Sequence, residues 1–191
     1  MVGARWVVGG LPRCAAAPGC HAGPMTERIE LTTLAPDFVE AAHAIVYCSV
    51  ATVDRAGRPR SRVMHPAWEW DGQRLTGWLT TTPSPKLGHL ADRPHVSCAY
   101  YDSWAVALVA DCRAEPVTDD AVRTHVWEFF RTTPPPLGYD PGAIGVPGWD
   151  GPTAPGFVVA RLDPWRVQVR RVVPGVGVEL RTWRASAEQR T

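Results

Sequence analysis

The chain has 191 residues with 20 basic and 19 acidic side chains, and a net charge of +1 offers no field for nucleic acid or an anionic membrane surface. Its length suffices for one domain with a substantial core, and no apolar run approaches the roughly 20 residues of a membrane span. Five cysteines (Cys14, Cys20, Cys48, Cys98 and Cys112) without C-x-x-C spacing argue for reduced thiols and a cytoplasmic home.

Residues 1–24 are rich in Gly, Ala and Pro, without helical or strand period. They contain no continuous apolar h-region, and are read as a disordered or misassigned extension. Cys14, Cys20 and His21 lack a fourth ligand at a suitable spacing, so no metal is expected. The domain is taken as 25–191.

After Thr32-Thr33, with Pro36 in the first turn, Leu34, Phe38, Ala41, Ala42 and Ile45 repeat at helical spacing. Ile45 to Val53 is rich in β-branched residues and reads as a buried strand. Asp54-Arg55-Ala56-Gly57 is a turn in which Gly57 is free to take positive φ. Pro59 to Trp70 reads as a second strand, preceded and threaded by the alternating Arg58, Arg60 and Arg62. Asp71-Gly72 is a hairpin signal leading into the strand that starts at Leu75.

That strand runs through Thr80-Thr81-Thr82 to Ser84-Pro85-Lys86. Ser84 suits an N-cap and Pro85 the first helical position, with Leu87 and Leu90 continuing a short helix to Arg93-Pro94. A lysine in the first turn opposes the helix dipole unless an anion binds there. Free N–H groups, hydroxyls and one ammonium then make a phosphate cradle. A solvated surface lysine after an ordinary cap is the alternative reading of Lys86.

His95 to Tyr101 and Trp104 to Val117 read as further strands. Thr118-Asp119 caps a second amphipathic helix carrying Val122, Val126, Phe129 and Phe130. The proline- and glycine-rich stretch 132–156 is a long loop. Its Tyr139 and Trp149 either close over a site or, as the favoured reading, pin the loop to the surface. Phe157 to Leu162 and Trp165 to Val173 follow as two strands, and Val176 to Trp183 as a weak hairpin return. Tight turns and few crossover helices argue for a mainly β antiparallel barrel with flanking helices, and no G-x-G-x-x-G follows a strand.

Three segments resemble the pyridoxamine 5′-phosphate oxidase-like family of FMN-binding split β-barrels, near its small general-stress-type members. They are Ser49 to Asp54 running through Gly57-Arg58-Pro59 to Ser61-Arg62-Val63-Met64; Leu75 to Thr82 with Ser84 and Lys86; and Arg93 to Ser97. The stretch Val158 to Val169 is similar to the family's closing strands. The resemblance implies a homodimer with a flavin at each of two sites between protomers. It implies that Arg62 and Lys86 contact the phosphate, and that Val63, Met64 and His65 lie against the flavin ring. Thr80, Thr81, Thr82 and Ser84 would reach the ribityl chain or phosphate, with Trp78 as an aromatic contact. Two cations among neutral hydroxyls suit a dianionic phosphate. From the residues alone, Arg62 is equally a surface residue paired with Glu69 or Asp71, and His65 a structural one.

The chain departs from the vitamin enzyme itself. Pro85 stands where that enzyme has a basic residue, no glutamine lies between Trp104 and Ala110, and its C-terminal arginine and histidine have no match beyond nearby Arg166. These departures point away from oxidation of pyridoxamine phosphate. The expectation is an FMN-dependent oxidoreductase acting on a small molecule. The alternatives are a reductase using the deazaflavin coenzyme F-420 on the same fold, and a flavin- or haem-binding module without turnover. No Ser-His-Asp constellation with a nucleophile elbow is visible.

Overall fold

The computed structural model describes residues 25–84, 88, 90, 92–102 and 105–186. The elements described in full follow one another as β1 (Met25–Arg28), α1 (Leu31–Ile45), β2 (Cys48–Val53), β3 (Pro59–Met64), β4 (Ala67–Trp70), β5 (Leu75–Thr81), β6 (His95–Asp102), β7 (Val106–Val117), α2 (Asp120–Thr132), β8 (Val158–Val173) and β9 (Gly177–Arg184), and Gly88, Leu90 and Asp92 are helical as well. The strands form one sheet in the order β1-β9-β8-β7-β6-β2-β3, with β5 pairing β8 and β4 pairing β5. All pairings are antiparallel except β1 with β9, a short parallel pair that four residues of sequence do not announce. The mainly β split-barrel architecture is therefore present.

Helix α1 starts before Thr32-Thr33, at Leu31, so Pro36 falls inside it rather than in its first turn. Leu34, Ala35, Phe38 and Ala42 are its buried face, as the spacing predicts. The predicted strand from Ile45 begins only at Cys48. Between them Val46 takes φ 70° and ψ −64°, and Tyr47 N–H donates to Ile45 C=O at 2.9 Å, closing a strained γ-turn.

The continuous strand expected over Pro59 to Trp70 is instead two. β3 pairs with β2, and β4 with β5. Pro66 is the reason: it offers no N–H to a ladder and holds His65 in extended geometry, so the chain changes partners there. Conversely, the two strands expected around Pro164 are one. The first half of β8 (Val158–Leu162) pairs with β5, and the second (Arg166–Val173) with β9, while β7 pairs along both. Pro164 sits between the two partners, opposite Cys112 of β7. The register shift against Asp111 and Cys112 absorbs Trp165 as an extra residue.

Turns behave as predicted. Gly57 (φ 80°) closes β2 to β3, and Gly72 (φ 96°) closes β4 to β5. In the second hairpin, Asp71 accepts from Gln73 and Arg74 N–H at 2.8 and 2.7 Å.

Two cores result. Inside the barrel Phe38 packs edge-on against Trp68, 5.1 Å between centroids, and Trp68 Nε1 donates to Tyr100 Oη at 2.7 Å. The buried free thiols of Cys48, Cys98 and Cys112 belong to this interior, and Cys98 and burial together push the Cys48 thiol upward, away from reactivity. The second core lies on the outer face of β5 and β8. There Val126, Trp127 and Phe130 of α2 meet Trp149 and Phe157 of the long loop. Asp119 caps α2, accepting from Ala121 and Val122 N–H at 2.8 and 3.2 Å. Asp119→Ala is expected to lower stability by about 1 kcal/mol in urea unfolding, with m unchanged.

Candidate functional site

Period-two alternation decides which side chains can meet. On β2, Val50 and Thr52 point inward, and their cross-strand partners are Arg62 and Arg60 on β3. On β5, Leu79 and Thr81 point inward toward Ala160 of β8. Among the described residues β3 bonds only to β2, while β5 bonds to β4 and β8, so the sheet is unzipped between them. A narrow cleft lies in that gap, bounded by Arg62 and Met64 from one side and Leu79 and Thr81 from the other. Leu90, Val96, Ala114 and Ala160 complete its lining. The lining is apolar apart from Thr52, Arg62 and Thr81.

Arg62 is half-buried, with Nη1 3.4 Å from Thr52 Oγ1. It pairs with neither Glu69 nor Asp71. Glu69 instead accepts from Trp78 Nε1 at 2.5 Å and contacts His125 Nε2 at 2.9 Å, and Asp71 is taken up by its own turn. Among the described residues, no carboxylate forms an ion pair with Arg62. A cation inside an apolar cleft without a counter-ion is an incomplete arrangement. Thr52 was not singled out from sequence, although alternation from Val50 places it beside Arg62.

The remaining expected residues separate into groups. Met64 and Thr81 line the cleft with Arg62. Thr81 Oγ1 makes one long bond, 3.4 Å to Thr82 C=O, and so keeps capacity to bind another group. Thr82 is half-buried just past β5. Ser84 Oγ is buried and has no hydrogen-bond partner among the described residues. Lys86 lies outside the described residues. Val63 points to the opposite face of β3 and is 74% exposed.

Trp78 and Thr80 face away from the cleft, toward α2 and the long loop. Trp78 belongs to the second core, and Thr80 Oγ1 lies 3.0 Å from Tyr139 Oη. Tyr139 and Trp149 thus pin the loop to the barrel, the favoured of the two readings. His65 is enclosed by Tyr47, Phe130 and Tyr139, at centroid distances of 5.4, 5.5 and 5.3 Å. Its side chain is bonded to the Leu137 backbone, while Nε2 has no hydrogen-bond partner among the described residues.

His65 and His43 are both held below the ordinary imidazole value of 6.5, chiefly by burial. His43 Nε2 accepts from Trp68 N–H at 3.0 Å, a bond that exists only while that nitrogen is unprotonated. Because the folded state binds these protons less readily than the unfolded chain, their contribution is full above the unfolded value. It is lost as pH falls below about 6.5. Thermal melting between about pH 7 and pH 5 is expected to show a falling Tm, flattened in the His43→Asn/His65→Asn variant.

A hydroxyl and a guanidinium facing an apolar slot can take up an anionic group. Known proteins resemble this chain in family and in fold. The family model described as pyridoxamine 5′-phosphate oxidase matches residues 34–169. Among solved structures, the chain is similar to a pyridoxamine 5′-phosphate oxidase-related, FMN-binding protein from Nostoc punctiforme. That match has TM-score 0.59 at 16% identity, covering 82% of this chain and 90% of that one. It is also similar to a Clostridium acetobutylicum protein related to general stress protein 26 of Bacillus subtilis, with TM-score 0.55 at 17% identity and coverage of 78% and 92%. General stress protein 26 of Bacillus anthracis gives 0.51 at 14%, covering 74% and 94%. At these identities the likeness is one of fold. No curated protein matches the chain in sequence.

Proposed function

Since this chain belongs to the pyridoxamine 5′-phosphate oxidase family, we propose that it binds FMN in the cleft between β3 and β5 and acts as a flavin-dependent oxidoreductase on a small molecule. The observation that carries the reading is Arg62, a cation set among apolar side chains whose hydrogen-bond partner among the described residues is a threonine hydroxyl. In this proposal the phosphate supplies the missing counter-ion and takes up Ser84 Oγ, with Lys86 as a second cation. Thr81 bonds the ribityl chain, and the backbone of Arg62–Met64 supports the ring edge. His65, Trp78 and Thr80 act indirectly, by fixing the strand ends from the outer core. A bound flavin supplies hydride and electron transfer, while the protein binds and orients it.

A homodimer belongs to the same reading. The outer face of β3, β2 and β6 carries Ser61, Val63, Ser49, Ala51, Ala99 and Tyr101, without a charge. Val63 and Tyr101 are 74% and 66% exposed there. An uncharged face beside an unpaired strand edge suits a second copy, which would also cover the cleft mouth.

Absorbance of the purified protein tests the cofactor. Bands near ~375 and ~450 nm support FMN, one near ~420 nm the deazaflavin, and a Soret band haem. Colourless protein that takes up FMN neither on purification nor on titration sinks the proposal. If bound flavin is not reduced by any nicotinamide donor, the non-catalytic binding reading replaces the enzyme.

A further inference from the structure

A line of charged side chains crosses β7 and β8 away from the cleft. Arg113 and Glu115 of β7 stand across from Asp163 and Arg161 of β8. Arg161 serves both acids, with Nε 2.9 Å from Asp163 Oδ2 and Nη2 2.8 Å from Glu115 Oε2. Arg74, just before β5, pairs with the other oxygen of Asp163. Arg113 Nε lies 2.9 Å from the other oxygen of Glu115. The line therefore reads Arg74–Asp163–Arg161–Glu115–Arg113, with one positive charge to spare and a guanidinium at each end.

Both end guanidiniums line one groove, whose apolar wall is Leu31, Leu75, Pro164 and Trp183. Leu31 and Trp183 are the fringe of the barrel core, where it comes to the surface. Among the described residues, the Arg74 and Arg113 guanidiniums each hold a single carboxylate oxygen, out of five N–H groups apiece. Exposed ion pairs add little stability, so the line is not explained by folding alone. The groove shares no residue with the cleft that Arg62 lines. Leu75 in the groove and Thr81 in the cleft stand at opposite ends of β5, about 20 Å apart along the strand.

We infer that this groove is a second ligand site, for a small aromatic monocarboxylate whose ring lies against Trp183 and whose carboxylate meets the open donors of Arg74 and Arg113. One negative charge balances the surplus of the line, and the planar guanidinium fork matches a carboxylate. An indole beside leucine and proline suits a flat apolar body. The site stands on its own residues and does not depend on what the cleft binds.

Calorimetric titration with naphthoate and with uncharged naphthamide tests the site. The cleft is first filled with FMN or, where no FMN binds, disarmed by Arg62→Ala. Naphthoate is expected to bind at least about tenfold more tightly than naphthamide. In Arg74→Gln/Arg113→Gln that ratio falls toward one, while Asp163 and Glu115 keep Arg161 as their partner. Thermal melts verify that the variant folds. Should it not, Arg113→Gln alone is expected to lower the ratio by about threefold or more. Absence of naphthoate binding, or equal binding of the two probes, overturns the inference. So does a preference for naphthoate that survives the substitutions, because the anion then sits elsewhere. Naphthyl phosphate binding more tightly than naphthoate overturns the assignment to a monocarboxylate.

Discussion

The double substitution Arg62→Ala/Lys86→Ala is expected to lower FMN affinity by about 100-fold or more while leaving riboflavin affinity nearly unchanged. Each charge-assisted hydrogen bond to a phosphate contributes roughly 1.5–3 kcal/mol, so two removed together are worth about two to four orders of magnitude. Riboflavin shares the ring and ribityl chain but has no phosphate, so it reports everything else in the cleft. Arg62 has no carboxylate partner among the described residues, and its loss strands no buried acid. The fold is accordingly expected to survive, with a Tm within a few degrees of the parent. Fluorescence titration with both ligands gives the answer. FMN affinity retained in the double variant moves the site elsewhere in the molecule.

The second large effect concerns stability. A Cβ at Gly77 would stand 2.7 Å from Trp68 Cζ3, 2.9 Å from Trp68 Cε3 and 3.0 Å from Leu162 Cβ. Trp68 has nowhere to go: it is 1% exposed, packed by Phe38, and tethered to Tyr100 through its indole N–H. Gly77→Val is therefore expected to cost about 3 kcal/mol or more, at the upper end of overpacking penalties. For a chain of this length that is a fall in Tm of roughly 6–12 °C. A parental Tm in Gly77→Val would mean that Trp68 can swing aside, and that the interior is looser than its contacts imply.

Much of this architecture was legible beforehand, and the failures have specific causes. The periodic apolar face of α1, the Asp71-Gly72 hairpin and the Asp119 cap are local signals, complete within a few residues. Strand continuity is not local. Pro66 and Pro164 look alike in sequence, yet one ends a pairing and the other sits harmlessly where β8 exchanges partners. Only the third dimension says which neighbour lacks a donor.

The site shows the same division. Arg62 and Thr81 were identified from residue type and resemblance, and the structure brings them to one cleft. Trp78 and Thr80 stood in the same expected set, although alternation along β5 alone puts them on the other side from Thr81. Thr52, beside Arg62, was missed because a threonine in an apolar strand carries no signature until its partner strand is known. Lys86 lies outside the described residues, so its role rests on the sequence.

The uninterrupted run of β8 has a mechanical meaning. One strand of 16 residues is stitched to β7 along its length and to β5 and β9 in succession. It acts as a spine, so the back of the molecule cannot gape without tearing several ladders together. The unzipped margin between β3 and β5 has no such stitching. Breathing is thus easier at that seam than along the back, with amides of β3 exchanging with solvent deuterium ahead of those in β7 and β8.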